Sequence, residues 1–153
     1  MALFLFGLYL FLAVFAAGNM VTLQLQHYGI YPWVGKDSFA AYMQANNRAA
    51  LLPSVVPALL LLLVSALLVF VRPPFMPLLA AAASLALNLG AFLSTAMWQR
   101  KIQTQLALSG YEEAAVQRLL STNWLRTALF VGQAGLAVAV TLRALAGWRH
   151  DFY

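Results

Sequence analysis

The sequence predicts an all-α fold: an integral membrane protein built as an antiparallel four-helix bundle, with residues 1–153 as one domain. Three observations carry this. Hydrophobic residues make up 63% of the chain and charged ones 8%, whereas a water-facing exterior typically comes with about a quarter of residues charged. Mean hydropathy is +0.81. Four apolar runs, at about 2–26, 49–71, 75–99 and 124–145, approach or exceed the roughly 20 residues that cross a bilayer.

The first run, from Ala2, has no positive charge before it, so it reads as a retained helix rather than a signal peptide. It exceeds a minimal span, and its last turns are polar: Asn19, Gln24, Gln26 and His27. Gln24 and His27 are three apart and share a helix face. Tyr28–Asp37 reads as a loop, with Gly29, Tyr31, Pro32, Trp33 and Gly35 supplying turn formers and an interfacial aromatic belt. Ser38 is placed to cap a short amphipathic interfacial helix carrying Phe39, Tyr42 and Met43 on one side. That helix passes Gln44, Asn46, Asn47 and Arg48 into the second run, where Pro53 and Pro57 free backbone carbonyls that need other partners.

Arg72-Pro73-Pro74 is a tight connection, which makes the second and third spans antiparallel neighbours. The third span, from about Phe75, carries small residues (Ala80 to Ala83, Ser84, Ala86, Gly90, Ala91) and one amide, Asn88, suited to interhelical hydrogen bonding. It extends in polar form past Gln99 to about Leu108 and stops at Ser109-Gly110. A separate interfacial helix is expected over Tyr111–Leu120. Ser121 or Thr122 then caps the fourth span, in which Ala128, Gly132, Gly135 and Ala139 form a second small-residue stripe. The tail, Gly147 to Tyr153, takes Trp148 and Arg149 to the opposite interface.

Up-and-down topology gathers polar residues from every span on one side: Gln24, His27, Gln44, Asn47, Arg48, Gln99, Gln103, Asn123 and Arg126. Two readings stand side by side. The residues line a pocket rimmed by Tyr28, Trp33, Trp98 and Trp124, or they anchor amphipathic loops while Arg48 and Arg126 snorkel to the surface. In the pocket reading Gln24, His27, Asn47, Arg48, Gln103, Asn123, Trp124 and Arg126 bind the ligand, both guanidiniums point inward, and amides beside arginine hold a carbonyl or phenolate oxygen. The only base on that side is His27, since His150 lies at the other end of the chain. No metal site and no cofactor are expected: cysteine is absent, the histidines are far apart, and no phosphate or dinucleotide fingerprint is present. The net charge of +5 is spread over helix ends and loops, which favours lipid headgroups over nucleic acid.

Asn47-Arg48-Ala49 with Pro53, the polar turn before Leu106, and Asn123-Trp124-Leu125-Arg126-Thr127 resemble motifs of the anthrone oxygenase-like family of small four-helix membrane proteins. The likeness covers roughly residues 20–145. It implies a cofactor-independent oxygenase acting on aromatic, quinone-forming substrates. The chain departs from the pattern at Lys101 and Gln103, where the family has proline and then asparagine or histidine, and at Asn46, where some relatives have histidine. Two functions are therefore expected in competition. One is a lipophilic-ligand (quinone, aromatic or lipid) binding protein or accessory subunit, partnered by the bilayer and by a larger membrane complex or further copies of itself. The other is an anthrone oxygenase-like enzyme in which Arg48 and Arg126 stabilise a phenolic or hydroquinone anion and His27 takes the proton. A bacterial inner membrane is the expected location. Arg143 and Arg149 on the short tail favour cytoplasmic termini.

Overall fold

The structure is a computed structural model that describes the backbone of residues 1–150 and the side chains as far as Gly147. The expected tail anchors Trp148 and Arg149, with His150 and Asp151, lie outside the described side chains. Every element among the described residues is helical. Helix α1 (Ala2–Thr22) runs on through a π-helical turn (Leu23–His27) and 3-10 turns (Tyr28–Trp33). Helix α2 (Phe39–Ala49) leads through a second π turn (Leu51–Val55) into α3 (Val56–Phe70). Helix α4 (Leu78–Ser94) passes through a third (Thr95–Gln99) into α5 (Arg100–Ser109), and α6 spans Glu113–His150. Four stretches, Ala2–Trp33, Leu51–Phe70, Leu78–Ser109 and Glu113–Gly147, are long and apolar enough to cross a membrane.

Helix α1 packs against α3 and α6, and α4 packs against the same two, closing a four-helix ring; α2 packs on α5 beyond its end. The inward stripes follow helical spacing. In α1 the stripe is Phe6, Tyr9, Ala13, Ala16 and Met20, in α4 it is Ala81, Ser84, Asn88 and Ala91, and in α6 it is Asn123, Arg126, Phe130, Gln133, Ala137 and Val140. Polar side chains are thus inside, while Phe4, Phe11, Leu63, Phe70, Leu79 and Leu142 are exposed. Buried polar side chains inside an apolar exterior are the arrangement that a lipid surround favours.

Two apolar cores result. The bundle core holds Phe6, Tyr9, Leu61, Leu68, Phe130 and Val140. The second holds Tyr28, Tyr31, Phe39, Met43, Ile102, Leu106, Val116 and Leu119, and is built by the 3-10 turns, α2, α5 and the start of α6. Between the cores, in sequence and in space, lie the π turns of α1 and α4 and residues 120–127 of α6. Proline explains part of the irregularity in the second stretch. Pro57 has no N–H, so the Pro53 carbonyl loses its i+4 donor. The Asn19 amide donates to that carbonyl at 3.0 Å and to Ser54 Oγ at 3.0 Å.

Several expectations are corrected. The third loop holds no separate interfacial helix, because α6 is continuous from Glu113. No proline or glycine interrupts Tyr111–Val131, and the two hydroxyls expected to cap turn back into the helix. Ser121 donates to the Arg118 carbonyl at 3.1 Å, and Thr122 donates to it at 2.8 Å. Tyr28–Trp33 is helical rather than loop. Ser38 makes no capping hydrogen bond, since the preceding 3-10 turn already holds its backbone in helical geometry (φ −95°, ψ −6°). Helix α4 starts at Leu78 rather than near Phe75, after a turn in which the Met76 N–H donates to the Pro73 carbonyl at 3.0 Å. Ala128, Gly132, Gly135 and Ala139 face outward.

Candidate functional site

The polar residues expected in one pocket fall into three places. The first is a buried layer between the two cores. Asn123 Nδ2 donates to Gln24 Oε1 at 2.6 Å, and Gln24 Nε2 donates to the Leu120 carbonyl at 3.2 Å. Thr127 Oγ1 donates to the Asn123 carbonyl at 3.0 Å. Beside them Arg126 Nη2 donates to the Tyr28 hydroxyl at 3.1 Å, and Gln103 Nε2 reaches the same oxygen at 3.3 Å. Gln99 completes the layer, donating to the Thr122 carbonyl at 2.9 Å and to Ser94 Oγ at 3.1 Å. Gln24, Gln99, Asn123, Arg126 and Thr127 are all buried.

The layer is not self-sufficient. Arg126 is 9% exposed, and its Nε has no hydrogen-bond partner; neither has Asn123 Oδ1. The described acids are engaged elsewhere or solvated. Glu112 accepts from Gln105, Glu113 accepts from Tyr111 and Gln117, and Asp37 is exposed in the first loop. Arg126 therefore forms no ion pair with any described acid. A buried, unpaired guanidinium is costly, and so is each orphaned polar atom.

The second place surrounds His27. Its Nε2 faces the Tyr31 hydroxyl at 3.5 Å, and that hydroxyl accepts from Asn46 Nδ2 at 3.4 Å. The imidazole stacks on Tyr42 with ring centres 6.4 Å apart. Burial pushes the Tyr42 phenol above its ordinary range, so it stays protonated. Tyr28, Tyr31, Phe39, Tyr42 and Tyr111 continue the cluster through edge-to-face contacts such as Tyr31 on Phe39 at 5.6 Å and Phe39 on Tyr111 at 5.1 Å. His27 is linked to tyrosines, not to Arg126 directly.

The third place is an outward groove of about 370 Å³ between α2 and α5, lined by Gln44, Asn47, Arg48, Leu51, Thr104, Ala107 and Leu108. Arg48 lies here, exposed; the expectation that it points inward beside Arg126 is corrected. Phe39 and Met43 fix the buried face of α2, and Arg48, five residues beyond Met43, lies about 140° round the helix from it. Trp124 does not join the layer either. It is 53% exposed, one residue round α6 from the inward Asn123. Trp33 and Trp98 are also exposed, whereas Tyr28 is inside.

A further buried polar cluster went unrecognised in the sequence apart from Asn88. Asn88 Nδ2 donates to Ser65 Oγ at 2.8 Å, Ser84 Oγ to Ser65 Oγ at 3.1 Å, and Gln133 Nε2 to Ser84 Oγ at 2.8 Å. Tyr9 OH, Asn88 Oδ1 and Gln133 Oε1 are buried without partners. The available signal was Gln133 itself, a lone amide inside the last apolar run and on the face of Asn123 and Arg126.

Among the described residues, no group of three or more histidine, aspartate or glutamate side chains is placed to hold a metal ion. Comparison with protein-family models, with curated proteins and with solved structures found no match to this chain.

Proposed function

We propose that the chain is an integral membrane protein, an antiparallel four-helix bundle with α2 at the interface, that binds the acidic oxygen of a lipophilic ligand at the Arg126 layer. One observation carries this reading: a guanidinium 9% exposed, paired with no acid among the described residues and with an unpartnered Nε. Three residues away Asn123 Oδ1 waits for a donor. A carboxylate or phenolate oxygen satisfies Arg126 Nε, and the second hydroxyl of a quinol would also donate to Asn123 Oδ1. The apolar exterior around the bundle suits a ligand drawn from the bilayer. The short connections 71–77 and 110–112 support antiparallel neighbours. A bacterial inner membrane with cytoplasmic termini fits the arginines of the tail.

Oxygenase chemistry of the kind the sequence resembles needs a base at the ligand. His27 is directed to Tyr31 and Tyr42 instead, so binding without turnover is the reading the geometry supports best. The test is mass spectrometry of small molecules retained by protein purified from membranes in mild detergent. Wild type should carry a phenol, quinol or carboxylic acid that Arg126→Leu loses and Arg48→Ala keeps. The same complement on Arg126→Leu overturns the proposal. A stoichiometric large protein in place of a small molecule moves the reading to an accessory subunit.

A further inference from the structure

The α2–α5 groove opens outward from that helix pair, away from Phe39 and Met43 of the second core. Phe39, Met43, Ile102 and Leu106 fill the inner side, while Gln44, Asn47, Arg48 and Thr104 face the groove with Leu51, Ala107 and Leu108. We infer that this groove is a binding site for an anionic phospholipid, with Arg48 on the phosphodiester and an acyl chain leaving past Leu51.

Charge is the first support. Arg48 makes no hydrogen bond or ion pair with the described residues of the chain, and no acid among them lines the groove. Its guanidinium is thus free to give a bidentate pair of hydrogen bonds to a phosphate. Asn47 lies beside it as an additional donor. Gln44 is committed at 3.0 Å to the Ala107 carbonyl and sets the spacing of the two helices.

Position is the second support. Leu51 follows Arg48 by about one turn and begins the apolar stretch Leu51–Phe70, with Leu52 and Val55 exposed beyond it. The polar-to-apolar step of the groove therefore coincides with that of the second long helix, which is the step between a headgroup and its chains. The volume of about 370 Å³ suits a glycerophosphate head and not a whole lipid. Selectivity follows from what the lining lacks. It has neither a carboxylate nor an aromatic ring, so nothing in it would hold the quaternary ammonium of a choline lipid.

The site is independent of the Arg126 proposal and is tested apart from it. Protein would be reconstituted in nanodiscs of phosphatidylglycerol and phosphatidylcholine in equal amounts, released, and weighed intact with its retained lipids. Wild type should keep one phosphatidylglycerol preferentially. Arg48→Ala, an exposed position whose change does not touch either core, should lower that retention at least fivefold. Arg100→Ala, which removes an exposed arginine outside the groove, and Arg126→Leu should leave it unchanged. Equal retention by wild type and Arg48→Ala overturns the inference. So does an equal loss in Arg100→Ala, which would mean general surface charge, or equal capture of the two lipids.

Discussion

Replacing Arg126 by leucine separates a guanidinium kept for a ligand from one kept for the fold. In the structure the side chain gives one hydrogen bond, to the Tyr28 hydroxyl at 3.1 Å, and leaves Nε unpartnered. Losing a hydrogen bond from a charged donor costs about 1.5–3 kcal/mol. Against this, arginine at the centre of a membrane helix is disfavoured by about 2.5–3.5 kcal/mol on insertion scales, while leucine is favoured by about 0.3–0.6. Arg126 is the third residue of the apolar run 124–145, so roughly half of that difference applies, and the two effects nearly cancel. Arg126→Leu should therefore fall within about 1 kcal/mol of wild type without ligand. Tyr28→Phe is the contrasting change, because it removes the acceptor shared by Arg126 and Gln103 and leaves the charge in place. It should cost about 2–3 kcal/mol. Reversible denaturation in mixed micelles would measure both. A loss above about 3 kcal/mol for Arg126→Leu, larger than that for Tyr28→Phe, would mean that the guanidinium holds the fold together.

Three further outcomes follow from the geometry. Gln24→Leu and Asn123→Leu, alone and combined, should show a coupling of about 1–2 kcal/mol in a double-mutant cycle through their 2.6 Å hydrogen bond; additive losses would refute it. Asn19→Ala should cost about 0.5–1.5 kcal/mol by uncovering the Pro53 carbonyl. In a Pro57→Ala background, where an N–H returns at the i+4 position, that cost should shrink towards zero; an undiminished cost in the denaturation curve contradicts this role for Asn19. Gly110→Ala should lose about 1–3 kcal/mol by the same measurement, because Gly110 sits at φ +83°, ψ −159° between α5 and α6. A methyl group at that position would meet no atom within 4 Å, so an unchanged stability would refute backbone conformation as the cause.

The apolar runs made the four long helices legible, because length and composition suffice to define a stretch able to cross a membrane. Their ends were less legible. Ser121 and Thr122 look like caps, yet a serine or threonine hydroxyl bonds equally well to the preceding turn, and only the absence of a breaker before them decides. The π turns at Leu23–His27 and Thr95–Gln99 leave no mark in hydropathy, since an inserted residue changes register without changing composition. That register also decides which polar residues meet. Placing Gln24, Gln103, Asn123 and Arg126 on one side of the bundle needed topology alone. Separating Arg48 from Arg126 needed the rotation of α2 about its axis, which Phe39 and Met43 set by packing on Ile102 and Leu106. The Ser65–Ser84–Asn88–Gln133 cluster was obscured for a different reason: serine is both a small residue that permits close helix approach and a hydrogen-bonding one, and sequence does not say which use is made of it.

Whether the Arg126 layer takes an acidic oxygen is tested most directly by titrating purified protein with 4-octylbenzoate and with its methyl ester while following thermal unfolding. Saturation at a hundredfold excess over Kd stabilises by about 2.7 kcal/mol, which for a chain of this size is a rise of roughly 5–10 °C. Wild type and Arg48→Ala should show that rise with the carboxylate and little with the ester, and Arg126→Leu should show it with neither. A rise of equal size with the ester, or one that survives Arg126→Leu, would contradict a guanidinium held ready for an acidic ligand.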